Sequence, residues 1–158
     1  MAKSDSVQRV REAADTLGLD IEVLTLPVSA RTAQLAADGL GCAVGQIVKS
    51  LIFRGAETGA LKLLLISGAR QADLAKAAKV VGEPLERADA RLVRDETGFA
   101  TGGVAPIGHK APVATWIDQS LLAHDAVWAA AGAPNAVFAI APKALAEMAG
   151  ATVADIAG

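Results

Sequence analysis

The sequence predicts an α+β fold, a curved, mixed and largely antiparallel β-sheet or barrel surrounded by helices, formed by residues 1–158 as one domain. Helix-like and strand-like segments are interspersed without regular alternation, which argues against a doubly wound parallel sheet. Two apolar stretches, 47–54 and 61–67 (LKLLLIS), flank the short glycine-bearing segment GAETG, the signal of an antiparallel hairpin. A chain of 158 residues that is 53% hydrophobic and 20% charged carries enough apolar material for one packed core.

In chain order, Val7, Val10, Ala14 and Leu17 recur at three- and four-residue steps and predict an amphipathic helix over 4–19, stopped by Gly18. Residues 21–26 read as a strand closed by Pro27. Thr32 can cap a helix running to Leu40, ended by Gly39 and Gly41. After the hairpin, alanine and leucine repeat at helical spacing over 72–81, and 88–96 forms a second short helix. A glycine-rich loop follows over 98–108. Strands are expected at 113–117, 126–130 and 136–140, and Pro142 suits the first turn of a helix through Met148, after which ATVADIA closes the domain.

Composition narrows the chemistry. The interior is to be built of small and branched side chains, since there are three Phe, two Trp and no Tyr. No apolar run approaches the roughly 18 residues that read as a membrane span, and the first residues lack the apolar core of a signal peptide, so a cytoplasmic location with no membrane partner is expected. The single Cys42 and the two histidines, His109 and His124, are too few for a disulfide or a conventional zinc site, and no cofactor is expected. A net charge of −2 lacks the basic excess of many nucleic-acid binders; no DNA partner is expected, and an RNA partner is neither proposed nor forbidden.

Two segments stand out as chemical candidates. TGFATGGVAPIGHK, residues 97–110, is too irregular for a helix and too glycine-rich for an ordinary strand. It is either a surface loop whose glycines adopt positive φ, or a ligand-binding backbone in which Gly102 and Gly103 bring main-chain N–H groups to a carbonyl or phosphate and Pro106 stiffens the turn. Gly103 and Gly108 have the spacing of a phosphate-binding P-loop, but His109 stands where the lysine belongs, and no dinucleotide fingerprint GxGxxG opens a helix after a strand. Lys49 is the second candidate: in GQIVKSLIF it interrupts an apolar run, with Leu51 and Phe53 on its face of the strand. Such a lysine either snorkels to solvent or meets an anion.

IVKSLIF, the SG of LLLISGARQADLAKAAK, GGVAPIGHK and VATWIDQSL occur in this order in the YbaK-like and prolyl-tRNA synthetase editing-domain family, and the chain resembles that family from end to end. The resemblance implies a free-standing aminoacyl-tRNA deacylase that cleaves the ester between a wrong amino acid and the terminal adenosine of tRNA. Lys49 matches the family's hallmark lysine, Gly102 to Pro106 its GxxxP loop, and Ser67 with Gly68 the strand end that reaches the same pocket. His109 joins them as a substrate-binding candidate, at a position that is not uniformly histidine among relatives. A protein nucleophile is unnecessary: no Cys–His pair or GxSxG elbow is present, and the vicinal ribose hydroxyl of the substrate can assist while the site positions the ester. Lys49 then anchors phosphate or ribose as a cation rather than acting as a base. Cys42 reads as a packed residue, Asp118 as a cap, and Trp116 and Trp128 as core aromatics; His124 has no assigned role.

The family resemblance favours small amino acids such as alanine, cysteine, serine or threonine and, as carrier, tRNA for proline, with a synthetase as a further partner. Two other functions compete: a binding module that captures aminoacyl-tRNA or a synthetase without hydrolysis, and a hydrolase of small amino-acid esters. If the glycine loop acts through its backbone, Gly103→Val is expected to lower the single-turnover deacylation rate by about 10² to 10³, the effect of losing one oxyanion donor, with a far smaller change in thermal midpoint. A rate that falls only in proportion to the folded fraction assigns the loop a structural role.

Overall fold

The computed structural model describes residues 2–27, 32–101, 104–133 and 135–158, with side chains from Ser6 onward. Among the described residues five α-helices and eight strands follow one another as α1 (Ala2–Thr16), β1 (Val23–Thr25), α2 (Ala33–Leu40), β2 (Val48–Gly55), β3 (Leu61–Ser67), α3 (Leu74–Val81), β4 (Leu85–Arg87), α4 (Ala90–Thr97), β5 (Ala114–Asp118), β6 (Val127–Ala130), β7 (Ala136–Ile140), α5 (Pro142–Ala149) and β8 (Thr152–Ala154). The strands form a five-stranded sheet in the order β4-β2-β3-β5-β8 and a three-stranded sheet β1-β7-β6. The mixed α+β expectation holds, but a barrel does not form. Among the described residues the two sheets meet at a parallel bridge between Ile47 and Trp128 instead of closing into one ring.

The predicted hairpin is the centre of the larger sheet. β2 and β3 pair antiparallel from Val48 opposite Ser67 to Arg54 opposite Leu61. β3 reads as an unbroken apolar run because both its faces are covered. Leu63 and Leu65 enter the main core with Val10 and Ala14 of α1, Val93 of α4 and Phe138 of β7, whereas Leu64 and Ile66 pack with Ala77 of α3 and with Ile156. A third cluster seats Ala36 and Ala37 of α2 on Leu26 and Ile47. Beyond β3 the pairing turns parallel, to β5 and from β5 to β8, through connections long enough to hold α3 and α4. Local hairpin signals carry no information about such distant partners. β4 was absent from the sequence reading for a related reason: LER has no apolar pattern and joins β2 through backbone pairing at Phe53, Arg54 and Gly55.

Helix boundaries shifted where capping chemistry decided them. Asp73 accepts from the N–H groups of Ala75 and Lys76, so α3 starts two residues later than periodicity suggests, and Asp89 does the same for α4 through Arg91. Thr32 caps α2 as expected, its hydroxyl accepting from the Leu35 N–H at 3.1 Å.

The hairpin's tip is tied by a buried carboxylate. Glu83 accepts from the Glu57 and Thr58 N–H groups, each at 2.9 Å, and from the Thr58 hydroxyl at 2.7 Å, with Lys62 3.6 Å away. These donors, the Thr58 bonds foremost, hold its pKa down at about 2. A Cβ on Gly55 would fall 2.4 Å from this carboxylate, so the glycine keeps the space in which it sits. Because the folded pKa lies below the usual 4.5, the stabilisation is complete above about pH 4.5 and disappears as pH falls through about 2. Glu83→Gln is therefore expected to lower the thermal midpoint at pH 7, with the difference from wild type narrowing steadily between pH 4.5 and 2.

Candidate active site

The first half of β2 and the end of β3 bring three of the predicted site residues together. Lys49 lies opposite Ile66, on the same side of β2 as Leu51 and Phe53. Its ammonium donates to the carbonyl of Arg70, just beyond β3, and burial lowers its pKa from the ordinary lysine value. Among the described residues no carboxylate pairs with it. Ser67 is buried, its hydroxyl donating to the Gly45 carbonyl at 2.9 Å and accepting from the Ala69 N–H at 3.3 Å. The Gly68 N–H donates to Ile47 O at 2.7 Å, and Arg70 N–H to Ser67 O at 3.0 Å, so the 67–70 turn is what carries the Arg70 carbonyl to Lys49.

Gly68 is required by space rather than by φ. A Cβ there would lie 2.5 Å from Val44 O and 2.9 Å from the Ala33 Cβ, where α2 and the 3-10 turn Val44–Gln46 close on the strand end. His124, which the sequence left without a role, belongs to this corner: a Cβ on Gly45 would be 3.2 Å from its Nε2 and 3.6 Å from Ser67 Oγ.

The glycine-rich loop is fastened on its α1 side. Arg9 lies 5.1 Å over the Phe99 ring and donates to Gly98 O, and Gly108, at φ +83°, lets the loop backbone come against the backbone of Arg9 and Val10. His109 donates from Nε2 to Ala105 O at 2.7 Å and meets Phe99 edge-on; burial lowers its pKa and the carbonyl bond partly offsets this. Pro106 is buried, and with His109 it borders a cavity of about 420 Å³ whose other walls include Ala13 of α1, Leu17 just beyond that helix and Met148 of α5. Ser67 and Gly68 thus reach Lys49 only through the turn that carries the Arg70 carbonyl, the Ser67 side chain sharing the face of Val48, whereas the described contacts of Pro106 and His109 belong to the loop and its seat on α1. Gly102 and Gly103 lie outside the described residues. Their neighbour Thr101 borders a second cavity together with Ser50, Leu51, Ile52 and Phe53, which sets the entry to the loop beside the residue next to Lys49 in β2.

That cavity contains what sequence reasoning missed. Ser50 lines it, but its Oγ is buried out of reach of solvent and has no hydrogen-bond partner among the described residues, and Arg87 and Asp89 stand at the margin. Ser50 was visible inside IVKSLIF, but nothing in the sequence separates an unpaired buried hydroxyl from a solvated one. As expected, Cys42 is half-buried against α2, Asp118 accepts from Ser120 N–H and from Ile156 N–H, and Trp116 and Trp128 pack on apolar clusters. Among the described residues no three His, Cys, Asp or Glu side chains gather as a metal site. No helix is long and apolar enough to cross a membrane.

The packing at Gly68 makes a prediction. Gly68→Ala must push Val44 and Ala33 aside, and overpacking of this kind costs about 1–3 kcal/mol, so its thermal midpoint is expected to fall by several degrees in a melt against wild type.

Comparison with known proteins places this geometry in a lineage. The model of the aminoacyl-tRNA editing domain matches residues 28–148. A Bacillus subtilis relative, "Uncharacterized protein YwhH", is 29% identical over 142 residues, covering 90% of each chain. The Enterococcus faecalis protein named "Putative Cys-tRNA(Pro)/Cys-tRNA(Cys) deacylase EbsC" is 29% identical over 126 residues, 79% of this chain and 76% of that one. A solved structure described as "a putative trans-editing enzyme for prolyl tRNA synthetase" superposes with a TM-score of 0.91 at 47% identity, covering 97% of both chains. With the family model spanning well over half of its length, the chain belongs to the aminoacyl-tRNA editing domain family, a family of deacylases.

Proposed function

We propose that the protein is a trans-editing deacylase that removes a mischarged small amino acid from tRNA, with tRNA for proline as the carrier, and that Lys49 and the 102–106 loop form its catalytic site. The observation that carries the reading is the state of Lys49: a half-buried ammonium, bonded to the Arg70 carbonyl and with no carboxylate beside it among the described residues. A cation held this way is short of an anion, and the phosphate of an RNA terminus supplies one. The names of the Enterococcus relative and of the solved structure, Cys-tRNA(Pro) and prolyl-tRNA synthetase, support proline tRNA as the carrier.

In the reaction, water adds to the carbonyl carbon of the aminoacyl ester, and its proton passes to the ribose by way of the vicinal hydroxyl. The tetrahedral oxyanion is stabilised by main-chain N–H groups of the loop at Gly102 and Gly103, and collapse breaks the ester C–O bond to leave the free amino acid and an intact ribose. Ser67 and Gly68 hold the Arg70 turn that orients Lys49. Pro106 and His109 keep the loop in shape: the imidazole, neutral near pH 7 because burial lowers its pKa, donates to the loop carbonyl of Ala105.

Deacylation of proline tRNA charged in turn with alanine, cysteine, serine, threonine and proline tests the substrate assignment: turnover of one of the small residues with proline spared is expected, and equal inertness toward all of them refutes it. Lys49→Ala is expected to keep the fold, since it removes a cation that folding partly desolvates, while deacylation falls by at least about 10²-fold. Circular dichroism and a single-turnover assay check the two halves separately.

A further inference from the structure

The base of the glycine loop is gripped by an arginine from another element. Thr97, the last residue of α4, closes the neck of the loop: its carbonyl accepts from Lys110 N–H at 3.1 Å and its hydroxyl from Phe99 N–H at 3.0 Å, while Glu96 O accepts from Ala111 N–H at 2.9 Å. Residues 98–109 thus leave and rejoin the end of one helix. Against this neck α1 sets Arg9. Its guanidinium lies 5.1 Å over the Phe99 ring and donates from both Nη atoms to Gly98 O, at 3.3 and 3.4 Å, and no carboxylate pairs with it among the described residues. A Cβ on Gly98 would run into that guanidinium. α1 is seated just as closely: a Cβ on Gly132 would lie 2.7 Å from Ser6 O, and one on Gly108 3.3 Å from Arg9 O.

We infer that Arg9 is a positioning residue for the deacylation step, setting the direction in which the chain leaves Gly98 and Phe99 toward Gly102 and Gly103. The inference rests on the deacylase reading above and adds to it an element, α1, that precedes the stretch 28–148 matched by the family model. Three observations separate this role from helix packing. Val10 and Ala14 already seat α1 in the main core, both fully buried, so the helix needs no further anchor from Arg9. The partners of the guanidinium are the first two residues of the loop, the Gly98 carbonyl at the C-terminal end of α4, whose partial negative charge favours a cation, and the face of Phe99. Both contacts are directional. Finally, three residues separate Phe99 from Gly102, at most about 11 Å of chain, so a rotation at Gly98, where glycine imposes little preference of its own, carries through to the N–H groups of the loop. Arg9 is what opposes that rotation.

The experiment compares wild type with three variants. Arg9→Met keeps a stem over the ring but loses the charge and the donors, Arg9→Lys restores a charge and a donor, and Arg11→Met makes the same change at an exposed arginine of α1. Amide hydrogen exchange is measured together with kcat and KM on the aminoacyl-tRNA that wild type hydrolyses fastest. In Arg9→Met the neck amides of Phe99, Lys110 and Ala111 are expected to exchange faster while those of the β2–β3 pairs stay unchanged. Its kcat is expected to fall by about 10- to 100-fold at a KM within about threefold of wild type, because misplacing a catalytic group by 1 Å costs of the order of 10²-fold and an interaction used in the transition state is lost from kcat. Arg9→Lys recovers most of that loss, and Arg11→Met matches wild type. A wild-type kcat in Arg9→Met, a loss that Arg9→Lys does not relieve, or exchange accelerated equally in the neck and in β2–β3, the mark of global destabilisation, overturns the inference and leaves the deacylase reading standing. If wild type hydrolyses no aminoacyl-tRNA, the deacylase reading falls and exchange alone decides the positioning: acceleration confined to the neck in Arg9→Met supports it, and its absence overturns it.

Discussion

β3 has apolar neighbours above and below, with Leu63 and Leu65 in the main core and Leu64 and Ile66 in the smaller one. That double burial makes the register of its partner consequential. In a strand every second side chain points the same way, so a slip of β2 by one residue would exchange Val48 and Ile52, which face the main core, for Lys49 and Leu51. An ammonium in that core would meet neither water nor anion, and the cost of burying it unpaired far exceeds what a small change in turn geometry could return. The Glu83 carboxylate at the hairpin tip fixes the same register from the other end, because its three donors come from the turn that sets which β2 residue starts the pairing.

The site follows from this register. With Val48 opposite Ser67, Lys49 is carried to the strand end where the 67–70 turn offers it the Arg70 carbonyl, and Ser50 is turned to the opposite face toward Thr101. The loop that enters there is positioned independently, by α1: Arg9 on Phe99, the backbone of Arg9 and Val10 under Gly108, and His109 folded back on Ala105. Two anchored segments, the hairpin and the entry to the α1-supported loop at Thr101, therefore approach one another at residues 50–53.

Most of the fold was legible because its signals are local. The hairpin around GAETG, the amphipathic pattern of Val7, Val10 and Ala14, and Pro142 at the start of α5 are each read from neighbouring residues in the sequence. What escaped was non-local. The parallel pairs of β3 with β5 and of β5 with β8 join residues far apart in the chain, and β4 is a strand only because β2 offers it an edge. The site divides the same way. Lys49 was legible as a charge in an apolar run and through the family motif. The corner of His124 with Gly45 and the solitude of the Ser50 hydroxyl exist only after three segments meet, so no reading of residue types could have found them.

The distribution of polar satisfaction over the structure is itself an argument about where function lies. Elsewhere among the described residues the buried polar side chains are paired. Glu83 accepts three hydrogen bonds, Asp118 accepts from two backbone N–H groups and the Ser120 hydroxyl, and Thr97 donates to Val93 O while accepting from Phe99 N–H. Along four consecutive residues of β2 the pattern reverses: a partly desolvated ammonium without a carboxylate, a buried hydroxyl without a partner, and a strand edge without a strand, all among the described residues. Each of these costs stability in the free protein, and random imperfection would scatter them over the fold rather than align them. Their grouping on one strand, beside the entry to the glycine loop, makes residues 49–52 the stretch whose polar groups the described part of the fold satisfies least.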